Sequence, residues 1–272
     1  PLIVHIADSA QLSKWAIDIP EEAYVLAQHF WPGPLTMILR KHADVPDEVT
    51  GGQDTVGLRC PAHPLALTVL QQLNGGVAAP SANRFGRISP TTAQHVRDEF
   101  GDAVPMVLDG GECEVGIEST IIDLSSASPR LLRPGMISQT DIEAVIGPIE
   151  AHANCESPRV SGSLAAHYAP RTPMQMLSRQ DLIQEYVRKA DQDLHCEVLC
   201  LDVVPEGLKG ISLGSEFHAY AHGLYAAMRE LDDRDAHYLL IEKTPQTAEW
   251  LAVNDRLNRA LVGAGIEDME LP

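Results

Sequence analysis

Short apolar runs rich in Val, Ile and Leu alternate along the first half of this chain with segments whose apolar positions recur at helical spacing. A strand needs a period of two or a short continuous apolar run, and a helix needs i, i+3, i+4, so the alternation predicts an α/β architecture. Strands are predicted over residues 2–6, 35–40, 55–59, 77–79, 106–109 and 119–124. Leu65, Val69 and Leu73 recur at i, i+4 and i+8 behind Pro64, whose fixed φ and missing N–H suit a first helical turn. Further helices are expected over 21–29 and 92–100.

A polar, weakly periodic stretch from 149 to 172 interrupts this alternation, which then resumes with a strand at 174–177, a helix at 181–190 and a strand at 197–202. Ala221, Leu224, Tyr225, Met228 and Leu231 fall on one helical face, and Trp250, Val253, Leu257 and Leu261 on another. Both stripes read as core-forming. The pattern divides the chain into an α/β domain at 1–148, a linker at 149–172 and a smaller α/β domain at 173–272. No internal repeat or low-complexity tract is visible. The chain opens at Pro1 directly on an apolar run, which reads as a start in mid-fold.

Composition narrows the function. A length of 272 residues with 44% hydrophobic content is enough for two modest domains, each with its own core. A net charge of -18, from 38 acidic against 20 basic residues, disfavours a surface that tracks nucleic-acid phosphates. Cys60, Cys113, Cys155, Cys196 and Cys200 are odd in number and scattered, so they read as reduced thiols of a cytoplasmic protein. Cys196 and Cys200 have the look of a metal pair only until their surroundings, HCEVLCLD, are read as a buried strand. No apolar run has the roughly 18 residues of a membrane helix, and no signal peptide opens the chain.

The loop APSANRFGRISP, 79–90, is dense in groups that suit a phosphate: small residues that let backbone N–H groups approach an anion, hydroxyls, an Asn amide and two arginines. The same residues also make turns and cap a helix starting near Thr92, and composition leaves both readings open. Two further segments carry polar groups at strand mouths: DGGECEVGIEST, 109–120, and LLRPG, 131–135. Three such strand ends suggest convergence on one ligand.

PLIVHI at the start, WPGPLTMIL at 31–39, VGLRCP at 56–61, APSAN, DGG with GIEST, and LLRPG occur here in the order found in the YrdC/YciO-type L-threonylcarbamoyladenylate synthases, which the chain resembles. SGSLAAHYAP, 161–170, is similar to the linker of the long form of that family, and DRLNRA, 255–260, to its C-terminal domain. The resemblance covers essentially the whole chain. It implies a YrdC-like twisted mixed-sheet synthase domain, a linker over the active site and a smaller Rossmann-like α/β domain. It implies an ATP-using nucleotidyltransferase that joins L-threonine, bicarbonate and ATP into threonylcarbamoyl-AMP and pyrophosphate. The product would feed a separate threonylcarbamoyl-transfer complex acting on tRNA. Mg2+ is expected with ATP, without a dedicated protein metal cluster.

The resemblance also assigns roles. Ser81 and Asn83 match the family's Ser-x-Asn signature and are the expected catalytic pair, with Ser81 at the ATP phosphates. Thr55, Ser89, Arg133 and Tyr168 match further nucleotide contacts, Tyr168 as a ring that closes over the nucleotide. His5, Arg59, Ala79 and Ser119 match threonine contacts, with Arg59 the natural bidentate partner of the carboxylate. Read without the family, His5 is a core histidine, Arg59 a strand-end ion pair, Ser119 a sheet-edge hydroxyl and Tyr168 a packing anchor. Thr55 and Ser89 are then ordinary strand-start and pre-proline hydroxyls, and Arg84 and Arg87 solvated loop charges. The family's PTETVYGLG turn and its Lys-x-Arg pair ahead of PLIVH have no counterpart here, so the chain as written is expected to be inactive or severely impaired. Two other functions compete: adenylation driven by carbamoyl phosphate, and an RNA-binding module on the same fold.

Overall fold

A computed structural model of the protein describes residues 1–150 and 157–265. Cys155 and part of the expected linker lie outside the described residues. In chain order the elements begin with β1 (Ile3–His5), α1 (Leu12–Trp15), α2 (Glu21–Phe30), β2 (Leu35–Arg40), α3 (Asp47–Thr50), β3 (Thr55–Arg59), α4 (Pro64–Leu73) and β4 (Val77–Ala79). They continue with α5 (Ala93–Phe100), β5 (Thr120–Asp123), β6 (Arg130–Arg133) and α6 (Gln139–Ile146). The remainder holds β7 (Met174–Leu177), α7 (Arg179–Ala190), β8 (Cys196–Cys200), β9 (Gly210–Ser212), α8 (Phe217–Asp232), β10 (Tyr238–Glu242) and α9 (Leu251–Gly263). The chain folds into two compact units, Pro1–Pro80 with Glu118–Ser163, and Ser81–Ile117 with Leu164–Pro272.

The first unit is built on a six-stranded mixed sheet of order β4-β1-β3-β2-β5-β6. Alternation along the strands sends Val4, Met37, Leu39, Val56, Leu58 and Ile122 to one face, where they pack with Ala23 and Leu26 of α2 and Ile142 of α6. Each such side chain removed from water contributes on the order of 1.5–3 kcal/mol, so this face holds the unit together. Ser138 caps α6 through a capping box with Asp141. The helix read behind Pro64 forms, yet Leu65, Val69 and Leu73 are 37%, 40% and 55% exposed and only Leu70 is buried. Their spacing specified the helix but not which side faced the core.

The strand predicted at 106–109 does not form. Met106 is 74% and Leu108 56% exposed, and no neighbouring strand pairs with them among the described residues. A short apolar run is a strand only where a partner satisfies its backbone, and behind Pro105 this one passes through as irregular chain.

The second unit carries a four-stranded parallel sheet of order β7-β10-β8-β9. Parallel strands are covered on both faces, which explains why all five residues of β8, CEVLC, are buried. Burial raises the Cys200 thiol to about 11 and raises Cys196 as well, so both act as inert packing. The two predicted stripes are core: Ala221, Leu224, Tyr225, Met228 and Leu231 of α8 are all buried, as are Trp250, Val253 and Leu257, with Leu261 half-buried. The Trp250 ring meets Phe217 and Tyr220 edge-on, with centroids 5.8 and 5.2 Å away.

Candidate functional site

The second face of the first unit's sheet is the polar one. Ile3 pairs with Gly57 and Ala79, His5 with Arg59, Ile38 with Gly57, and Thr36 and Arg133 both with Ile121. Paired residues share a face, so His5, Thr36, Thr55, Arg59, Ala79 and Arg133 all project opposite the main core. A small apolar cluster, Ile38, Ile121 and Val160 with Ile3 and Leu132, lies among them. Gly57 leaves the middle of this face shallow: a Cβ there would sit 3.1 Å from the Ile38 Cδ1 and 3.6 Å from the Thr36 Cγ2.

Arg59 closes β3 and is half-buried, its Nε donating to the Gly33 carbonyl at 3.0 Å. That carbonyl is fixed by the WPGP turn, where Gly33 N donates to Cys60 O at 2.8 Å and a Cβ on Gly33 would fall 2.3 Å from the Phe30 carbonyl. Trp31 braces the same turn by donating its Nε1 to Leu35 O at 2.8 Å. Beside Arg59, His5 is partly buried, and that burial, with the neighbouring guanidinium second, lowers its pKa to about 4. His5 is therefore neutral at physiological pH and offers an imidazole hydrogen bond, not a charge.

At the β5–β6 side, Arg133 is 4% exposed and organises a buried network. Its Nε and Nη2 donate to the Ser119 carbonyl at 3.0 and 2.9 Å, Nη2 also reaches Ser119 Oγ at 3.1 Å, and Nη1 donates to Ser161 O at 2.8 Å. Ser119 Oγ in turn shares a 2.8 Å hydrogen bond with Thr36 Oγ1. The turn that follows requires glycine, because a Cβ on Gly135 would lie 2.5 Å from the Thr120 nitrogen. Thr36 was not singled out from sequence; the signal was a lone hydroxyl inside the apolar run LTMIL.

The three polar strand ends do not share one level. Arg133 stands on the rung of Thr36 and Ile121, and Ser119 lies just beyond it, whereas β4 runs antiparallel to β1 and ends with Ala79 opposite Ile3. Thr55 starts β3, four residues and roughly 13 Å from Arg59 along the strand.

Ser81, Asn83, Ser89 and Tyr168 belong to the second unit. Asn83 folds its loop on itself: its backbone N–H donates to Ser81 O at 2.9 Å and its Nδ2 to the Arg84 and Arg87 carbonyls at 2.9 and 3.0 Å. Its Oδ1 is buried with no hydrogen-bond partner among the described residues, an acceptor held in place by the donors beside it. Ser81 is exposed and Ser89 buried. Arg84 lies over the Phe100 ring and Arg87 donates to Pro170 O, so both loop arginines have partners within the unit.

Tyr168 has a left-handed backbone, φ 61°, and is 1% exposed. Its ring stacks on Tyr225 at 5.6 Å, and the Arg256 guanidinium lies 5.4 Å from its centre. Among the described residues no group of three or more His, Cys, Asp or Glu side chains is placed to hold a metal ion. No described helix is long and apolar enough to cross a membrane.

A mixed sheet whose second face carries His5, Arg59 and the buried Thr36–Ser119–Arg133 network, followed by a parallel α/β sheet, defines a two-domain α/β protein. Residues 1–135 match the Sua5/YciO/YrdC family model, described as telomere recombination, and residues 137–261 match the threonylcarbamoyl-AMP synthase C-terminal domain. The chain is 37% identical to a threonylcarbamoyl-AMP synthase of Pyrococcus abyssi over 96% of its own length and 79% of the relative's. It is 38% identical to one from Bacillus subtilis, covering 97% and 80% of the two chains. The crystal structure of P. abyssi Sua5 complexed with L-threonine superposes with a TM-score of 0.89 at 36% identity, covering 97% of this chain and 81% of that one. The chain belongs to the threonylcarbamoyl-AMP synthase family, in the long form that carries the C-terminal domain.

Proposed function

We propose that this protein condenses L-threonine, bicarbonate and ATP into threonylcarbamoyl-AMP and pyrophosphate, supplying the group that a separate complex places on tRNA. The observation that carries the reading is the polar sheet face, with neutral His5 beside Arg59 and the buried Thr36–Ser119–Arg133 network, in a chain whose relatives are named for this reaction. The neutral threonine amine attacks the carbon of bicarbonate with loss of water, or of carbon dioxide with loss of a proton to solvent, giving a carbamate. A carbamate oxygen then attacks the α-phosphorus, and the bond to the pyrophosphate leaving group breaks.

No strong protein acid or base is required for this sequence, so positioning and charge neutralisation dominate the catalysis. Arg59 takes the threonine carboxylate, and His5, Ala79 and Ser119 complete that pocket. Ser81 and Asn83 are assigned to the reacting phosphates, with Thr55, Ser89 and Arg133 along the nucleotide. Tyr168, stacked on Tyr225, is assigned to the nucleotide as well. The donors present are hydroxyls, amides and guanidinium groups, which suit phosphate oxygens better than a bare cation, so Mg2+ enters bound to ATP as part of the substrate. Residues 1–148 act as the synthase domain, 149–172 as a linker and 173–272 as the C-terminal domain. The acidic chain works in the cytoplasm on small molecules, without stable nucleic-acid or membrane binding.

The test is pyrophosphate release by the intact protein with each substrate omitted in turn. With the family's PTETVYGLG turn and Lys-x-Arg pair supplied ahead of PLIVH, release that needs ATP, threonine and bicarbonate together is expected, while the 272 residues alone should release little. Release supported by carbamoyl phosphate in place of threonine, or tight tRNA binding that survives physiological salt, overturns the reading.

A further inference from the structure

In the second unit a charged pair grips the Ser81–Ser89 loop. Arg229, in the last turn of α8, donates Nε to Ser89 O at 3.2 Å and Nη2 to the Ile88 carbonyl, and the same Nη2 reaches Glu99 Oε2 at 3.1 Å. The other oxygen of that carboxylate, Oε1, accepts the Arg84 backbone N–H at 3.0 Å. One ion pair therefore holds the loop at both ends of its basic half. It is shielded, with side chains 14% and 13% exposed, so solvent screens it far less than a surface pair. Its base is rigid, because Tyr225, Met228 and Leu231 around it on α8 are buried.

The loop lies in the segment that matches the synthase model, 1–135, while Arg229 lies in the segment that matches the C-terminal domain, 137–261. We infer that Arg229, with Glu99, is a positioning residue through which the C-terminal domain holds the Ser81–Ser89 loop in its phosphate-binding conformation. The inference rests on the function proposed above for that loop. A phosphate loop works through donors already in place when the ligand arrives, and loosening its carbonyl anchors would make ATP itself reorder it.

The experiment compares wild type with Arg229→Ala, Arg229→Lys and Glu99→Gln in steady-state pyrophosphate release and in amide hydrogen exchange across 84–89. In Arg229→Ala the KM for ATP is expected to rise about tenfold, the loss of one to two charge-assisted hydrogen bonds, while the KM for threonine stays unchanged. Arg229→Lys recovers part of the loss, since an ammonium keeps the pair with Glu99 without spanning both carbonyls. Glu99→Gln, a variant of the same shape, shifts the KM for ATP in the same direction and speeds exchange at Arg84. A lowered melting temperature with both KM values unchanged means a purely structural role and overturns the inference. If Arg229→Ala fails to fold, the Lys and Gln variants carry the comparison. If wild type supplied with the family's PTETVYGLG turn and Lys-x-Arg pair releases no pyrophosphate from threonine, bicarbonate and ATP, the proposed function fails; loop exchange unchanged in every variant defeats the anchoring itself.

Discussion

The two groups of candidate ligand-binding residues are held in different ways. On the first unit's sheet, Thr36, Ser119 and Arg133 are buried and satisfy one another, Thr36 and Arg133 on strands and Ser119 directly before β5, so their geometry is enforced by the same bonds that hold the sheet. In the second unit, Ser81 and Asn83 occupy an irregular loop whose order comes from its own amide bonds and from anchors on helices. The lesson is that sheet residues cannot be changed without touching stability, whereas loop residues can. Their defects in binding should separate from defects in folding.

The sharpest test of that contrast is Arg133→Ala. It strips the donors from the buried Ser119 carbonyl and the half-buried Ser161 carbonyl, so unfolding free energy should fall by about 2–4 kcal/mol in denaturant titrations. Turnover should drop by about 100-fold with it. Next in size is Arg59→Lys, where a point charge replaces a planar fork: the KM for threonine should rise about tenfold with the KM for ATP unchanged. Ser81→Ala should raise the KM for ATP by only several-fold, roughly one lost hydrogen bond, and leave the denaturation midpoint where it was. A destabilised Ser81→Ala would erase the distinction.

A separate effect concerns pH. The folded protein keeps His5 near 4 while the unfolded chain protonates it near 6.5, so the unfolded state binds the extra proton as pH falls through that window. Stability from this group is therefore complete above pH 6.5 and declines towards pH 4. His5→Gln should flatten that part of the stability profile, and an unchanged slope would mean the imidazole is already protonated in the folded state.

Much of this was legible from the chain. The strands at 35–40, 55–59 and 77–79 were read with their observed bounds because turn residues bracket apolar runs, and the α8 and α9 stripes proved to be core. The sequence could not say which residues share a sheet face: placing Thr55, His5 and Arg59 together needs the register between strands far apart in the chain. It also misjudged 106–109, because an apolar run carries no mark of whether a partner strand will meet it. The capping box at Ser138 and Asp141 was a readable signal for α6 that went unused. Glu99 and Arg229 were invisible for another reason, since each looks like an ordinary solvated helix charge until folding closes the 130 residues between them.

The aromatic stack around Trp250 has a practical consequence. Of the three tryptophans, Trp15 and Trp31 belong to the first unit, and Trp250 lies buried in the second between Phe217 and Tyr220. With Trp15 and Trp31 replaced by Phe, Trp250 becomes a single intrinsic fluorophore. Its emission would then report the melting of one unit alone, and circular dichroism on the same sample would report both. A gap between the two transitions would measure how far the halves of this protein unfold as independent cooperative bodies.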